Sequence, residues 1–280
     1  MRDRCRTFAG WIVRHTVGTL PLFDLGLKLR GLRYAVSATL LERREAKLLV
    51  RRWGTIPSAD VVTIIATYKR PEQLLRAVES AVAQDVESHV VVVVDDGGGL
   101  PPLPDHPRVF AGSLSKNQGT AGTTRNVGIR ASNSRLLAFL DDDNTWRPNH
   151  LPLALRAHEN GAEITYSALE RVNVAGEHLD LFSVPFDRKA ARESAFADTN
   201  GIVVRRGRGV RFSRVPRPIG TFPAEDWEFA YRLSKRHRIE HIVEPTVRYV
   251  VHPESYYTGW TEEDMSGTNQ VEGHVEKPPA

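Results

Sequence analysis

From about residue 60 onward, short apolar runs alternate with segments whose apolar residues recur at helical spacing. The runs predict strands, and the segments between them predict helices. One run, 90–94, consists only of valines, which is typical of a strand buried on both faces. This order predicts an α/β fold with a mostly parallel, Rossmann-like sheet and flanking helices. The predicted elements are strand 61–66, helix 71–84, strand 90–94, strand 108–111, helix 121–131 and strand 135–140.

The later part of the chain has a less regular pattern. A helix is predicted to begin near Pro148 and another at Glu225, with strands over 164–184 and 200–212 and a last strand that ends at His252. The composition of the final residues predicts disorder. The predicted units are an N-terminal helical extension at 1–58, an α/β domain at 59–265 with halves at 59–150 and 151–265, and a tail at 266–280.

The composition is that of a globular protein. Of the 280 residues, 41% are hydrophobic and 26% are charged, which is enough for a sizeable core. The single cysteine, Cys5, excludes a disulfide framework and a cysteine-based metal site, and it is typical of a reducing compartment. No apolar run approaches the roughly 18 residues of a membrane-spanning helix. We therefore expect no signal peptide and a cytoplasmic location, free or peripheral on the inner face of the membrane.

The extension at 1–58 is basic and amphipathic. Residues 1–60 hold 12 Lys or Arg against five Asp or Glu, although the formal net charge of the whole chain is only +4. Leucines and aromatic residues lie among these cations, as in a helix that rests on an anionic membrane surface. The same pattern also suits an extension whose apolar face packs on the body or on a second subunit. Nucleic acid is not expected as a partner, because no base-reading motif accompanies the charge.

Three consecutive carboxylates follow the predicted strand 135–140. Asp141, Asp142 and Asp143 repel one another unless a cation or solvent relieves them, and oxygen ligands suit Mg²⁺ or Mn²⁺ better than Zn²⁺. The end of a buried strand is also where open α/β sheets bind ligands. The pattern predicts a divalent-cation site that holds a diphosphate. The alternative is an acidic loop that caps the helix near Pro148.

Five short motifs occur in order, each at the end of a predicted element. Together they resemble the motifs of family 2 inverting glycosyltransferases with the GT-A fold, over about residues 60–252. Each motif alone is common, whereas five in order are specific. The motifs are Thr67-Tyr68-Lys69-Arg70-Pro71, Asp95-Asp96-Gly97, Asn117-Gln118-Gly119 leading into Arg125-Asn126-Val127-Gly128, Leu140-Asp141-Asp142-Asp143-Asn144, and Ala224-Glu225-Asp226-Trp227-Glu228.

The resemblance implies that the half at 59–150 binds the nucleotide and that the half at 151–265 builds the acceptor side. In the family, the loop after the first strand lines the nucleotide site, and the second acid of the Asp-Asp-Gly turn contacts the nucleobase. The arginine of the third motif faces the base and phosphates. The residues implied to bind the nucleotide are Thr67, Tyr68, Arg70, Asp95, Asp96, Arg125, Asp141 and Asp142.

The resemblance also implies the metal ligands and the catalytic base. Asp143 is expected to bind the metal directly, with Asp141 as the second choice and His252 as a late ligand. Asp226 is expected to deprotonate the acceptor hydroxyl as it attacks C1 of the sugar, with Glu225 as the fallback base. The structural alternatives are stabilisation of a helix N-terminus for the two acids and simple packing for His252.

The sequence therefore predicts an inverting hexosyltransferase that depends on Mg²⁺ or Mn²⁺. Its donor is expected to be a nucleotide-diphosphate sugar, UDP or dTDP by preference, and its acceptor a hydroxyl group. The basic extension favours a lipid-linked or cell-envelope glycan. The alternatives are a catalytically inactive relative that serves as a scaffold or sugar-binding module, and a nucleotidyltransferase. The latter is disfavoured because 67–71 lacks a glycine-rich phosphate loop.

Overall fold

The computed structural model describes residue 29, residues 31–215 and residues 225–252. Residues 1–28 of the predicted extension and the predicted tail at 266–280 lie outside this part. Within these described ranges, a nine-stranded sheet with helices on both faces confirms the predicted α/β class. The helices are α1 (Leu32–Trp53), α2 (Pro71–Val82), α3 (Ala121–Ala131), α4 (His150–Glu159) and α5 (Glu225–Ser234). The strands are β1 (Ser58–Thr67), β2 (His89–Asp95), β3 (Val109–Ser113), β4 (Asn133–Asp141), β5 (Thr145–Trp146), β6 (Ile164–Asn173), β7 (His178–Phe182), β8 (Ile202–Arg205) and β9 (Ile239–Val251).

The sheet runs in the order β3-β2-β1-β4-β8-β6-β9-β5, and β7 pairs with β6 outside this path. β3, β2, β1 and β4 are parallel to one another, whereas β8 runs antiparallel to β4 and β6. Thr67 of β1 pairs with Asp95 of β2, and Ala66 pairs with Asp141 of β4. The carboxyl ends of three neighbouring strands therefore meet at one edge of the sheet, where open α/β folds bind ligands.

The alternation of side chains along β1 explains why helices cover both faces of the sheet. Val62 and Ile64 join the core beneath α1, α3 and α5, whereas Val61 and Ile65 join the core beneath α2 and α4. All four side chains are fully buried. Successive residues of a strand point to opposite faces, so an apolar run without polar interruptions requires cover on both.

Helix α1 is attached to the body through its two acids, Glu42 and Glu45, which are both buried. The Glu42 carboxylate accepts hydrogen bonds from Nε of Arg130 at 2.9 Å and Nε of Arg214 at 2.8 Å. Glu45 accepts from the backbone N–H of Ser115 at 2.9 Å. The inner side of residues 32–53 therefore packs on the body. This is the arrangement expected under the alternative in which the extension packs its apolar face on the rest of the protein. Within the described part of the chain, neither α1 nor any other helix has both the length and the apolarity needed to cross a membrane.

The strand predicted over 200–212 is wrong for most of its length. Of this segment, only β8 joins the sheet. It begins at Ile202, because Thr199–Gly201 forms a 3-10 turn. After β8 the chain contains Gly207 and Gly209, and the latter has a φ of +95° that leaves strand geometry. The apolar residues of this segment instead include Phe212, which is buried in the core beneath α1, α3 and α5.

Two other boundaries differ from the predictions. The strand structure expected over 164–184 takes the form of a hairpin of β6 and β7 that turns at Gly176, where φ is +84°. The helix expected near Pro148 begins at His150, because Thr145 and Trp146 first pair with β9. The last strand ends at Val251, one residue before His252, close to its predicted end.

Candidate active site

The loop after β2 is held by two aspartates with different partners. Asp95 accepts a hydrogen bond from the backbone N–H of Gly99 at 2.8 Å, within its own turn. Asp96 accepts from the backbone N–H groups of Gln118 at 2.9 Å and Gly119 at 3.0 Å, in the next motif. Burial raises the pKa of Asp96, against the lowering effect of these bonds. Asp95 therefore closes its turn, while Asp96 joins two motifs and retains oxygen lone pairs for a ligand.

Gly97 permits the close approach of these two motifs. Its φ is +79°, and a Cβ placed on it would lie 2.7 Å from the backbone N of Asn117 and from the carbonyl carbon of Lys116. A side chain at this position would have to displace backbone, which is costly. The Asp-Asp-Gly motif is therefore explained by the backbone as well as by the acids.

Asp142 lies inside the protein, where it connects the ends of β1 and β4. Oγ1 of Thr67 donates to Oδ2 of Asp142 at 2.7 Å, and Nη1 of Arg70 lies 3.1 Å from Oδ1. The same Arg70 nitrogen donates to Asp143 at 2.7 Å. Burial raises the pKa of Asp142 in spite of these partners. Thr67 and Asp142 are therefore hydrogen-bonded to each other, and the Arg70 guanidinium bridges the carboxylates of Asp142 and Asp143.

Asp143 lies at a cleft of about 490 Å³ that His252 and Arg248 also line. Burial, together with the charges of Asp141 and Asp142, raises the pKa of Asp143 to about 6, while Arg70 and His252 act in the opposite direction. The three neighbouring carboxylates therefore repel one another beside the cleft, and Arg70 relieves only part of this repulsion. A bound cation would relieve this repulsion.

The side chains at this cleft suit a divalent cation whose coordination is completed by substrate. Across residues 31–215 and 225–252, no three His, Cys, Asp or Glu side chains are grouped so as to hold a metal by themselves. Mg²⁺ usually takes one or two protein ligands and fills its other positions with phosphate oxygens and water. Asp143 and His252, which line the same cleft, are the residues that could hold such an ion.

A buried arginine connects the edge of the sheet with α5. The Arg125 side chain is only 6% exposed, and its Nη2 donates to the carboxylate of Asp141. Its Nη1 lies 3.8 Å from Oε1 of Glu225 and 3.9 Å from Oδ1 of Asp226. Burial opposes the charge, yet Asp141, Asp226 and Glu225 together raise the pKa of Arg125. One permanent cation therefore brings acids from two separate motifs together.

The carboxylate of Asp226 is only partly enclosed by the protein. Its side chain is 28% exposed, so part of it reaches solvent while the rest is buried. Burial and the charge of Asp141 raise its pKa, against the lowering effect of Arg125. A carboxylate with a raised pKa at an accessible position is suited to general base catalysis. The Glu225 carboxylate instead occupies the space beside Gly122 on α3, where a Cβ would otherwise lie.

Two residues of this cluster, Asp198 and Asn200, were not predicted from the sequence. Nδ2 of the buried Asn200 donates to Asp141 at 3.0 Å and to Asp198 at 2.8 Å. Burial, with the charges of Asp226 and Asp141, raises the pKa of Asp198 to about 7. The available signal was an acid and an amide shortly before the apolar run of β8, with Asp198 just before the predicted strand 200–212 and Asn200 at its first position.

The family model described as Glycosyl transferase family 2 matches residues 62–214, more than half of the chain. The chain belongs to glycosyl transferase family 2. The match contains the first four motifs and ends before α5, so the Glu225–Asp226 motif lies beyond it.

Curated relatives support the same family. Succinoglycan biosynthesis protein ExoO of Rhizobium meliloti (strain 1021) is 39% identical over 131 residues, which cover 44% of this chain and 37% of ExoO. Succinoglycan biosynthesis protein ExoW of the same organism is 33% identical over 102 residues, 33% of this chain and 32% of ExoW. The uncharacterized glycosyltransferase YwdF of Bacillus subtilis (strain 168) is 26% identical over 66% of this chain and 72% of YwdF. The chain thus matches less than half the length of ExoO and ExoW.

The fold is also shared with a solved structure. S. aureus TarS 1-349 in complex with UDP-GlcNAc superposes with a TM-score of 0.54 at 18% identity, covering 72% of this chain and 61% of that one. A likeness at this level of identity concerns the fold alone. It confirms the predicted GT-A architecture.

The predicted site residues occupy one edge of the sheet in two neighbouring groups, with Tyr68 exposed at the rim of the β1 loop. Their catalytic and binding roles stay predictions, whereas their positions are now defined. The first group surrounds Arg70 and the cleft: Thr67, Asp142, Asp143 and His252. The second group surrounds Arg125: Asp141, Glu225 and Asp226. The pair Asp95 and Asp96 holds the adjacent loops.

Proposed function

We propose that the protein transfers a hexose from a nucleotide-diphosphate sugar to a hydroxyl group, with inversion at C1. The observation that carries this proposal is the Arg125 bridge. It keeps Asp141, at the donor edge of the sheet, close to Asp226, the accessible acid with a raised pKa on α5. A donor site and a base next to each other are what a single displacement requires.

We propose that the donor binds along the edge formed by β1, β2 and β4. The nucleobase and ribose lie toward Asp96 and the exposed Tyr68, and the diphosphate lies toward the cleft of Asp143 and His252. Arg125 provides a fixed positive charge near the sugar. UDP and dTDP sugars are the preferred donors. The UDP-GlcNAc bound to TarS, which shares the fold, supports a uridine nucleotide.

In the reaction, the acceptor hydroxyl gives its proton to the Asp226 carboxylate while its oxygen forms a bond to C1. The bond from C1 to the diphosphate oxygen breaks on the opposite face, and the electron pair leaves with the nucleoside diphosphate. One displacement gives inversion, so no second carboxylate nucleophile is needed. The raised pKa of Asp226 helps it take up the proton. Glu225 is the fallback base.

The reaction is proposed to depend on Mg²⁺ or Mn²⁺. Such an ion, held by Asp143 and His252, would neutralise the diphosphate as charge develops on it. Other residues have separate roles near the proposed ion position. Arg70 neutralises Asp142 and Asp143 in the absence of other cations, and Asn200 keeps Asp141 in place.

The acceptor is proposed to be a cell-envelope polysaccharide or its lipid-linked precursor. Two relatives, ExoO and ExoW, are named for biosynthesis of the polysaccharide succinoglycan, which supports this class. The basic helix α1 is consistent with an enzyme that acts near a membrane surface. We place this activity in the cytoplasm, in keeping with the single cysteine of the chain.

Calorimetric binding of UDP, dTDP, GDP and ADP, each with Mn²⁺, Mg²⁺ or EDTA, tests the donor site. We expect one base to bind more tightly with metal than with EDTA. Sugar nucleotides of that base are then screened for turnover, and NMR of the product gives the configuration at C1. An inverted product confirms the proposal, and a retained one contradicts it. Binding without turnover indicates an inactive relative, and release of pyrophosphate from a nucleoside triphosphate indicates a nucleotidyltransferase.

A further inference from the structure

Helix α1 carries opposite charges on its two sides. Its acids, Glu42 and Glu45, are buried against the body. Every other charged residue of the helix is an exposed cation. Arg52 donates to the carbonyl of Ser113 at 3.1 Å, and the other cations form no ion pair with an acid in the described ranges. These exposed cations are Arg33, Arg43, Arg44, Lys47, Arg51 and Arg52.

The same outward side carries apolar residues. Val36 and Leu40 are 57% and 61% exposed, and Leu29, just before the helix, is 72% exposed. At about 100° per residue, Val36 and Leu40 lie on one side of the helix, opposite the buried Ala38 and Leu49. Lys47 falls on the Val36 and Leu40 side as well. We call the surface formed by Arg33, Val36, Leu40, Arg43, Arg44, Lys47 and Arg51 the outer face of α1.

Positive charge continues beside the helix. Ala35 lies on one wall of a groove of about 600 Å³ that extends to α5. Glu228 is the acid that lines this groove, and its Oε1 forms an ion pair with Nε of Arg232 at 2.8 Å. The groove therefore extends the basic surface instead of neutralising it. Its exposed arginines are Arg208, Arg211 and Arg236.

We propose that the outer face of α1 docks on an anionic phospholipid membrane. Val36 and Leu40 enter the boundary between headgroups and acyl chains, and the cations contact the headgroup phosphates. Charge complementarity selects this partner, because the face combines exposed cations with apolar side chains and presents no acid.

Other partners fit this face less well. In a symmetric dimer the same patch would meet itself, and each protomer would place its exposed cations against those of the other. Nucleic acid would match the charge but would leave Val36 and Leu40 without an apolar partner. The inner side of α1 already packs on the body, so the helix is held in place with its outer face presented to solvent.

This proposal goes beyond the transferase activity and does not depend on it. The test uses the purified full chain and sedimentation with vesicles of phosphatidylcholine, alone or in equal mixture with phosphatidylglycerol. We expect binding to the anionic vesicles only, and we expect that added salt weakens it. Asp226→Asn should bind the same vesicles as the unaltered protein, so a failure of the proposed transfer reaction would leave this result unchanged.

Two double variants test the face. Arg43→Gln/Lys47→Gln should weaken binding by about 10-fold or more, since each basic residue near the surface contributes about fivefold. Val36→Gln/Leu40→Gln should weaken it to a similar extent, because the apolar insertion is lost. Each change lies at an exposed side chain, so folding should be preserved.

Matched controls carry the same chemical changes elsewhere. Arg156→Gln/Arg188→Gln removes two exposed cations, and Leu181→Gln/Val243→Gln removes two exposed apolar side chains on β7 and β9. Both should bind as the unaltered protein does. Equal losses in variants and controls, or no loss in either variant on the outer face, would overturn the proposal. It would also be overturned if Val36→Gln/Leu40→Gln changed the sedimentation coefficient without lipid, because that result identifies a second copy as the partner.

Discussion

The side chain of Asn200 holds Asp141 at two points. Its Oδ1 accepts the backbone N–H of Asp141 at 2.7 Å, and its Nδ2 donates to the Asp141 carboxylate at 3.0 Å. The same Nδ2 also donates to Asp198 at 2.8 Å. An amide on the turn before β8 thus fixes an acid at the end of β4, and it separates two carboxylates that would otherwise repel each other.

Asn200→Asp should therefore reduce transfer more than Asn200→Ala does, although aspartate has nearly the shape of asparagine. The aspartate replaces a donor with an acceptor that faces Asp141 and Asp198, so repulsion is added to the lost bonds. Asn200→Ala leaves buried partners unsatisfied, which should cost about 1–3 kcal/mol in the free energy of unfolding. Turnover measurements and urea unfolding of both variants check this order. Greater activity in Asn200→Asp than in Asn200→Ala would contradict the assigned role.

Replacement of the proposed base should separate chemistry from binding. Asp226→Asn keeps the shape and removes the proton acceptor, so turnover should fall by about 10²- to 10⁴-fold. Nucleotide affinity should stay close to that of the unaltered protein. Steady-state kinetics and calorimetry measure the two quantities. Glu225→Gln is the matched control, and a larger loss of turnover in it than in Asp226→Asn would make Glu225 the base.

Chelation should reveal the metal ligand. In the unaltered protein, EDTA should weaken binding of the preferred nucleoside diphosphate by about tenfold or more, because the diphosphate loses its counter-ion. In Asp143→Ala this difference should disappear. Asp142→Asn is the comparison, since the Asp142 side chain is bonded to Thr67 within the protein; it should keep a response to EDTA, although the loss of its charge beside Asp143 alters the size of that response. Calorimetry with and without metal measures all three proteins, and a difference that persists in Asp143→Ala would exclude it as the ligand.

The first half of the fold could be predicted because its pattern is local. Helix α3 has its predicted bounds, and β2 contains the predicted run of valines. The segment at 200–212 could not be predicted from its apolar pattern. Phe212 is apolar because it fills a position in the core, and it does not belong to a strand. Sequence distance also hid the Asn200–Asp141 contact, which forms only when β8 pairs with β4. Motifs at strand ends were visible in the sequence, whereas the residues that fix their geometry were not.

Two buried histidines should make stability depend on pH in acid. Burial lowers the pKa of His150 to about 3, and burial with the charge of Arg108 lowers that of His89 to about 3. An unfolded chain binds protons on histidine below about pH 6.5. Between about pH 3 and 6.5 the unfolded state therefore binds more protons than the folded state. The contribution of these two histidines to the free energy of unfolding should fall as pH is lowered through this window, by up to about 1.4 kcal/mol per pH unit for each histidine, while the raised pKa values of Asp143 and Asp198 act in the opposite direction.

His150→Gln should remove one of these contributions, so lowering the pH should destabilise the variant less than it destabilises the unaltered chain. The ring of His150 bonds Thr246 at 2.7 Å and stacks on Trp146, so the variant should also be less stable near neutral pH. Urea unfolding at several pH values across the acid window measures the slope for each protein. His178→Gln, which changes an exposed histidine, should keep the slope of the unaltered chain. Equal slopes in all three proteins would show that the folded state protonates His150 as readily as the unfolded one, contrary to its burial.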